Sequence, residues 1–232
     1  MTGLRDVFWA VLGAVPDAFW QGFTWLGDSG LLLPASLLIV VLLAWSRATR
    51  MTALQWCLVF GAGSVVIAGS KLAFLGWGVG SARLNFTGFS GHTAISTSVW
   101  PVLLWLAAAQ CTVRRPDLLS ATTGMRMAIF FGWAVGAAIG VSRLAVFAHS
   151  LSEVVLGFLL GMLVSATFLM LARNRALPRF PWQVGALGLV LPLFVLQPGT
   201  PAPTQDLLEV IAMRMAGTTQ PFTREDLMRG GR

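Results

Sequence analysis

The chain has 232 residues, of which 56% are hydrophobic and 11% charged, with a formal charge of +7 and no tyrosine. No water-soluble core of this size needs so large an apolar excess, so the composition excludes a soluble globular domain and places the chain in a bilayer. Nor does the positive charge mark a nucleic-acid-binding face, because nearly all the basic residues are arginines in short polar gaps between apolar runs.

A helix needs about 20 apolar residues to cross the hydrocarbon. In chain order the candidates fall at 6–26, 30–46, 53–76, 92–111, 124–142, 150–172 and 183–197. The first is amphipathic and carries Trp9, Trp20 and Trp25, a composition that also suits the interface. Arg5 and the apolar residues after it imitate a signal peptide, but Pro16 and Asp17 interrupt the run and no small-residue cleavage site follows, so the segment is expected to be retained. The second candidate is short at its ends, and the last contains Pro192, which suits a re-entrant or interfacial segment as well as a span. The expected fold is all-α, a polytopic transmembrane helical bundle of about six spans plus a C-terminal hydrophobic segment. Residues 1–198 form the membrane domain and 199–232 a polar tail. In that tail Pro201 and Pro203 precede an amphipathic run at 206–215, which predicts a surface helix followed by disorder, with no chemistry.

If the spans alternate, Arg5, Arg47, Arg50, Arg114, Arg115, Arg126, Arg173, Arg175 and Arg179 share one side, and that side is expected to be cytoplasmic. The opposite side receives the turn at 27–30 and the loops near 77–91 and 143–149, with Lys71, Arg83 and Arg143 as its basic residues. Gly132, Gly136 and Gly140 in one span and Gly157 and Gly161 in the next predict that these two helices pack tightly as a hairpin. Cys57 and Cys111 lie far apart in apolar runs and read as packing residues. Gly76, Gly78 and Gly80 imitate a nucleotide loop, but a span precedes them and not a strand, which rules that reading out.

The two histidines, His92 and His149, both fall at the outer ends of spans, each within two residues of a serine. His92 closes Phe89-Ser90-Gly91-His92, where Ser90 and Gly91 offer backbone N–H groups at a helix start, a natural anion site. His149 closes the segment that begins Ser142-Arg143, and Glu153 follows four residues later. A carboxylate there can bond one imidazole nitrogen and leave the other as a free lone pair, as a nucleophilic histidine requires. Lys71, the sole lysine, lies about a turn and a half inside its span, a costly place for an ammonium unless it meets an anion or a polar cavity. This set suits phosphoryl transfer to histidine: cations neutralise the equatorial oxygens, one imidazole attacks phosphorus and the other protonates the leaving oxygen. Neither histidine belongs to a His-Glu-x-x-His helix and the nearby cations oppose a divalent ion, so no metal is expected.

The order lysine, arginine, Ser-Gly-His, then Ser-Arg, a histidine and a carboxylate four residues after it, resembles the type-2 phosphatidic acid phosphatase family, the PAP2 superfamily. The likeness covers about 53–172, and its third segment, Ser142-Arg143 to His149 and Glu153, is the most specific. The resemblance implies that His149 is the nucleophile, Glu153 orients it, His92 is the acid, and Lys71, Arg83, Ser90, Gly91, Ser142 and Arg143 surround the phosphate, without metal or cofactor. Three positions depart from the family pattern. Phe89 stands where proline is usual, Glu153 where aspartate is usual, and Arg83 follows Lys71 at a longer interval than usual and precedes Leu84 in place of proline. The expected function is hydrolysis of a phosphomonoester or diphosphate of a lipid, such as undecaprenyl diphosphate, phosphatidic acid, phosphatidylglycerol phosphate or lipid A, through a phosphohistidine. The alternatives are a lipid phosphotransferase and a non-enzymatic protein that binds or transports phosphate lipids. The expected partners are the lipid substrate and membrane lipids, with no nucleic acid, and the expected location is a bacterial inner membrane with the active site facing the periplasm or the outside.

Overall fold

A computed structural model describes residues 2–114, 121–176, 183 and 204–230. The described chain forms helices α1 (Thr2–Gly13), α2 (Asp17–Thr24), α3 (Ser29–Ala44), α4 (Arg50–Trp77), α5 (Gly91–Arg114), α6 (Ala121–Ala145), α7 (Leu151–Ala172), α8 (Thr204–Ala216) and α9 (Arg224–Met228). Five stretches are long and apolar enough to cross a membrane: Asp17–Ala44, Arg47–Trp77, Gly91–Cys111, Thr122–Ala145 and Leu151–Ala172. A polytopic helical bundle results, as the hydropathy pattern predicts.

The predicted first span at 6–26 does not form as one helix. Proline lacks an N–H and disfavours a helix interior; Pro16 precedes α2, and the run breaks into α1 and α2, of 12 and 8 residues. A second break comes at Asp28, whose carboxylate accepts the Gly30 N–H at 2.7 Å and caps α3. The described residues thus supply five spans where about six were expected, and the segment at 183–197 lies outside the described residues apart from Gln183.

The arginine pattern survives only in part, because the segment of α8 and α9 carries Arg214, Arg224 and Arg229 to the histidine end beside Arg83 and Arg143. Arg47, Arg50, Arg126, Arg173 and Arg175 gather at one end of the bundle, while Arg115 and Arg179 lie outside the described residues. Helix α1, which carries Arg5, is at the other end, where Trp9 stacks on Phe147 with ring centroids 5.7 Å apart. With no complete first span before α3, α1 lies at the histidine end.

Helix α5 is the hub, and the reason is glycine. The stripes in α6 and α7 do not mainly face each other, contrary to the predicted hairpin; both face α5. A Cβ at Gly132 or Gly136 would collide with Pro101 or Thr97, one at Gly161 with Ala94, and one at Gly157 would lie 2.9 Å from the Ser90 carbonyl oxygen. Small residues let three backbones approach closely. The buried hydroxyls that result on α5 turn back onto its own carbonyls: Thr97 donates to Thr93 at 2.8 Å and Ser98 to Ala94 at 2.8 Å. Toward the arginine-rich end the core is apolar, built around Trp56, Val99, Val102, Leu106 and Phe168, and the Trp56 indole finds the Ser36 Oγ at 3.1 Å.

The tail forms its expected helix, but the chain after it is ordered where disorder was expected. The amphipathic run forms α8, which packs on α4 at the histidine end: Gly76 makes room for Ala212 and Ala216, and the Thr204 and Ser29 hydroxyls are 3.0 Å apart. Beyond it the Phe222 N–H donates to the Leu75 carbonyl at 2.8 Å and its ring packs edge-on against Phe74. Gly78, at φ +67°, ends α4, and a Cβ there would lie 2.8 Å from that ring. Chain expected to be disordered is therefore folded onto the bundle.

Candidate active site

A cavity of about 590 Å³ opens at the histidine end, between the start of α3, the last turns of α4, the first turn of α5, the α6–α7 loop and the C-terminal segment. Its polar wall holds Lys71, His92, Arg143 and His149, with Asp28 and Arg224; its apolar wall is made by Leu33, Ile67, Ile95, Leu207 and others.

His149 and Glu153 meet through a helix start and not along a helix face. Ser150 is the N-cap of α7, its hydroxyl accepting the Glu153 N–H, and Glu153 at the third helical position reaches back to the Ser150 N–H at 3.1 Å. The same carboxylate oxygen, Oε2, is 2.8 Å from His149 Nδ1. A carboxylate accepts, so Nδ1 carries the proton and Nε2 keeps a lone pair. The extra methylene of glutamate over aspartate thus serves the cap and the imidazole together. Its Oε1 accepts the Thr87 N–H at 2.8 Å and the Thr87 hydroxyl at 2.6 Å, and the Glu153 side chain is wholly buried. Burial holds the His149 imidazole below its ordinary value; the Glu153 hydrogen bond and charge pull it up, while Lys71 and Arg143 press it further down.

The cations come from two spans. Lys71 rises from α4 beside the N-terminus of α5, where a Cβ on Gly91 would lie 3.8 Å from its ammonium, and it donates to Gln205 Oε1 at 3.2 Å. Arg143 projects from the last turn of α6; one Nη donates to the Thr24 hydroxyl at 3.0 Å, and its buried Nε has no hydrogen-bond partner among the described residues. A buried donor of that kind is one that an anion in the cavity would satisfy. His92 opens α5, and its Nε2 is 3.6 Å from Asp28 Oδ2.

Three of the predicted site residues do not face the cavity. Arg83 is exposed on the α4–α5 loop and does not line the cavity. Ser90 is buried, its hydroxyl paired with Thr93 at 2.9 Å and its N–H donated to the Glu153 carbonyl oxygen at 3.1 Å, so it has no N–H to offer an anion. Ser142 is buried too, and its hydroxyl donates to the Ile139 carbonyl at 2.6 Å. Gly91 does line the cavity. Conversely, sequence reasoning missed Asp28 and Arg224. Asp28 gave only a helix-cap signal ahead of an apolar run; Arg224 sits in a polar tail, where Thr223 and Asp226 spell a small capping box as the only hint of order.

Fold and site together describe a polytopic membrane protein with a cation-lined cavity around a carboxylate-bonded histidine. The PAP2 superfamily model matches residues 80–177, and the chain belongs to that superfamily, a membership that implies phosphatase activity. The chain is also 41% identical over 212 residues to an uncharacterized 22.5 kDa protein in cps region from Klebsiella pneumoniae, a match covering 90% of this chain and 97% of that one. No solved structure matches.

Proposed function

We propose that the protein is an integral membrane hydrolase that removes the terminal phosphate of a lipid phosphate or diphosphate, without a metal, by way of a phosphohistidine on His149. The observation that carries this is the 2.8 Å bond from His149 Nδ1 to Glu153, which leaves Nε2 as the free lone pair on a ring that lines the cation-walled cavity. The phosphate sits between Lys71, Arg143 and the first turn of α5, whose N–H groups and dipole favour an anion. Nε2 of His149 attacks phosphorus as the bond to the lipid oxygen breaks, and His92 gives that oxygen its proton. Asp28 is the ion-pair partner of His92 when the ring carries its second proton. In the second step water attacks the phosphohistidine, the P–N bond breaks, phosphate leaves, and the water proton restores His92. The apolar wall of the cavity, with Leu33 from α3 and Ile67 from α4, suits the hydrocarbon part of a lipid entering from the bilayer. The end that carries Arg47, Arg50, Arg126, Arg173 and Arg175 in and beside its short turns faces the cytoplasm, and the site faces the opposite side, the periplasm or the outside of a bacterial inner membrane.

The test is phosphate release by detergent-purified protein, with chelator present, from undecaprenyl diphosphate, phosphatidic acid, phosphatidylglycerol phosphate and a lipid A phosphate, run beside His149→Ala. Release from one or two of these, insensitive to chelator and lost in the variant, is the expected result. Full activity in His149→Ala, or loss of activity with chelator alone, would sink the proposal.

A further inference from the structure

Arg224 reaches the site from outside the 80–177 family match, at the first position of α9. Its Nη2 donates to Glu153 Oε1 at 2.8 Å and Oε2 at 2.9 Å, and lies 3.3 Å from the Thr87 hydroxyl. Its Nη1 donates to the Asn85 carbonyl at 3.1 Å and to the Asn85 side-chain oxygen. Asn85 is held at φ +50°, a left-handed conformation that asparagine tolerates, in the loop that the Ser81–Phe86 bridge closes. The segment is anchored independently of this contact by Phe222, through its N–H to Leu75 and its ring over Gly78.

Besides His149, the buried Glu153 carboxylate has the neutral donors of Thr87 and Ser150, which bond its oxygens but do not balance its charge. A guanidinium supplies that charge: one nitrogen, Nη2, donates to both carboxylate oxygens while Nη1 is held by Asn85, which ties the carboxylate to the α4–α5 loop. We propose that Arg224 is a positioning residue: acting through Glu153, it fixes the His149 ring and completes the support of the nucleophile from a C-terminal segment that no motif contains. The inference rests on the assignment of His149 as nucleophile.

The charged and titratable groups around His149 are Glu153 from α7, Arg143 from α6, Lys71 from α4, His92 from α5, Asp28 ahead of α3, and Arg224 from α9. Arg224 offsets the carboxylate that favours imidazolium. Removing its charge therefore lets Glu153 act on His149 unopposed, so His149 protonates at higher pH and activity at the acid end falls.

The chain has only two histidines, so imidazole nitrogen NMR on histidine-labelled protein in detergent reads His149 directly, with His92→Asn assigning the signals. Arg224→Gln is expected to raise the His149 titration by about one unit, with Arg224→Lys lying between it and the parent. In the catalytic assay kcat falls about tenfold to a hundredfold with KM changed less than about twofold. Should Arg224→Gln fail to fold, Asn85→Gly removes the side-chain acceptor while keeping the backbone conformation, and must move the titration the same way by less. An unchanged His149 titration in an active enzyme overturns the role of Arg224 alone. A titration that responds to Arg224, in protein that releases phosphate from no substrate, overturns the assignment of His149 as nucleophile and the positioning role with it.

Discussion

Glu153 has more to hold than the family pattern asks of its carboxylate: a helix cap, an imidazole, the Thr87 N–H and hydroxyl, and a guanidinium, all on two oxygens. Glu153→Gln keeps the size but replaces one acceptor with a donor that faces Arg224 or His149, and it can leave the imidazole in the wrong tautomer. A fall in kcat of about 10³–10⁴ is expected, measured with the best lipid substrate of the panel. The role of His92 is separable by leaving group. His92→Asn is expected to cost about 10²–10⁴ on a lipid alcohol leaving group and far less on a nitrophenyl phosphate, whose leaving oxygen needs no proton; equal losses on both would remove the acid assignment. The pH dependence has a definite sign. On the proposed mechanism His149 must be neutral to attack, and burial lowers its titration, so the acid limb of kcat/KM is expected below the ordinary histidine value of about 6.5. A limb well above that value would contradict the burial seen here. At this scale the sequence was legible where the signal was local: His92, His149, Lys71, Gly91 and Arg143 line the cavity, and Glu153 stands behind His149. Arg83 stands off the cavity, and only its order in the chain recommended it. Ser90 and Ser142 spend their hydroxyls on local bonds, since a serine beside such a segment is as well suited to capping and backbone bonding as to a ligand.

Among the elements, hydropathy marked the spans from α3 to α7 to within a few residues, because an unbroken apolar run has few alternatives in a bilayer. It failed at 6–26, where Pro16 outweighed the apolar count. The glycine stripes were legible as close-packing surfaces, but a stripe names no partner; α5 takes both because its own Thr93, Thr97 and Ala94 face them. Gly157 ties this packing to the site, since it is where the Ser90 backbone rests on α7. Gly157→Ala is expected to cost about 1–3 kcal/mol, read as a lower melting temperature in detergent, and to lower activity by shifting the Ser90-Gly91-His92 segment. Gly61→Ala, with nothing within 4 Å of the added atom, is the control and should melt within error of the parent. Equal melting of the two variants would show that the α5–α7 contact is looser than described.

For the whole molecule, the arginines of the short turns were legible as one end of the bundle, but the path of the chain ends was not. Ala172 closes α7 at the arginine-rich end, and the described chain resumes at Thr204 beside Ser29, at the opposite end. Because the tail is polar, composition could not distinguish a solvated segment from one docked by Phe222 and Arg224. Orientation is open to a labelling test in intact cells. A cysteine at Ala82, in the exposed α4–α5 loop, should react with a membrane-impermeant maleimide from outside, and one at Ala48, in the α3–α4 turn, only after permeabilisation. The reverse pattern would invert the proposed topology. The central claim is tested most directly by quenching the protein in alkali during turnover of a phosphorus-labelled lipid phosphate and mapping the label. Label on His149, absent from His149→Ala, is the expected result; steady phosphate release with no label on His149 at any quench time would contradict the account.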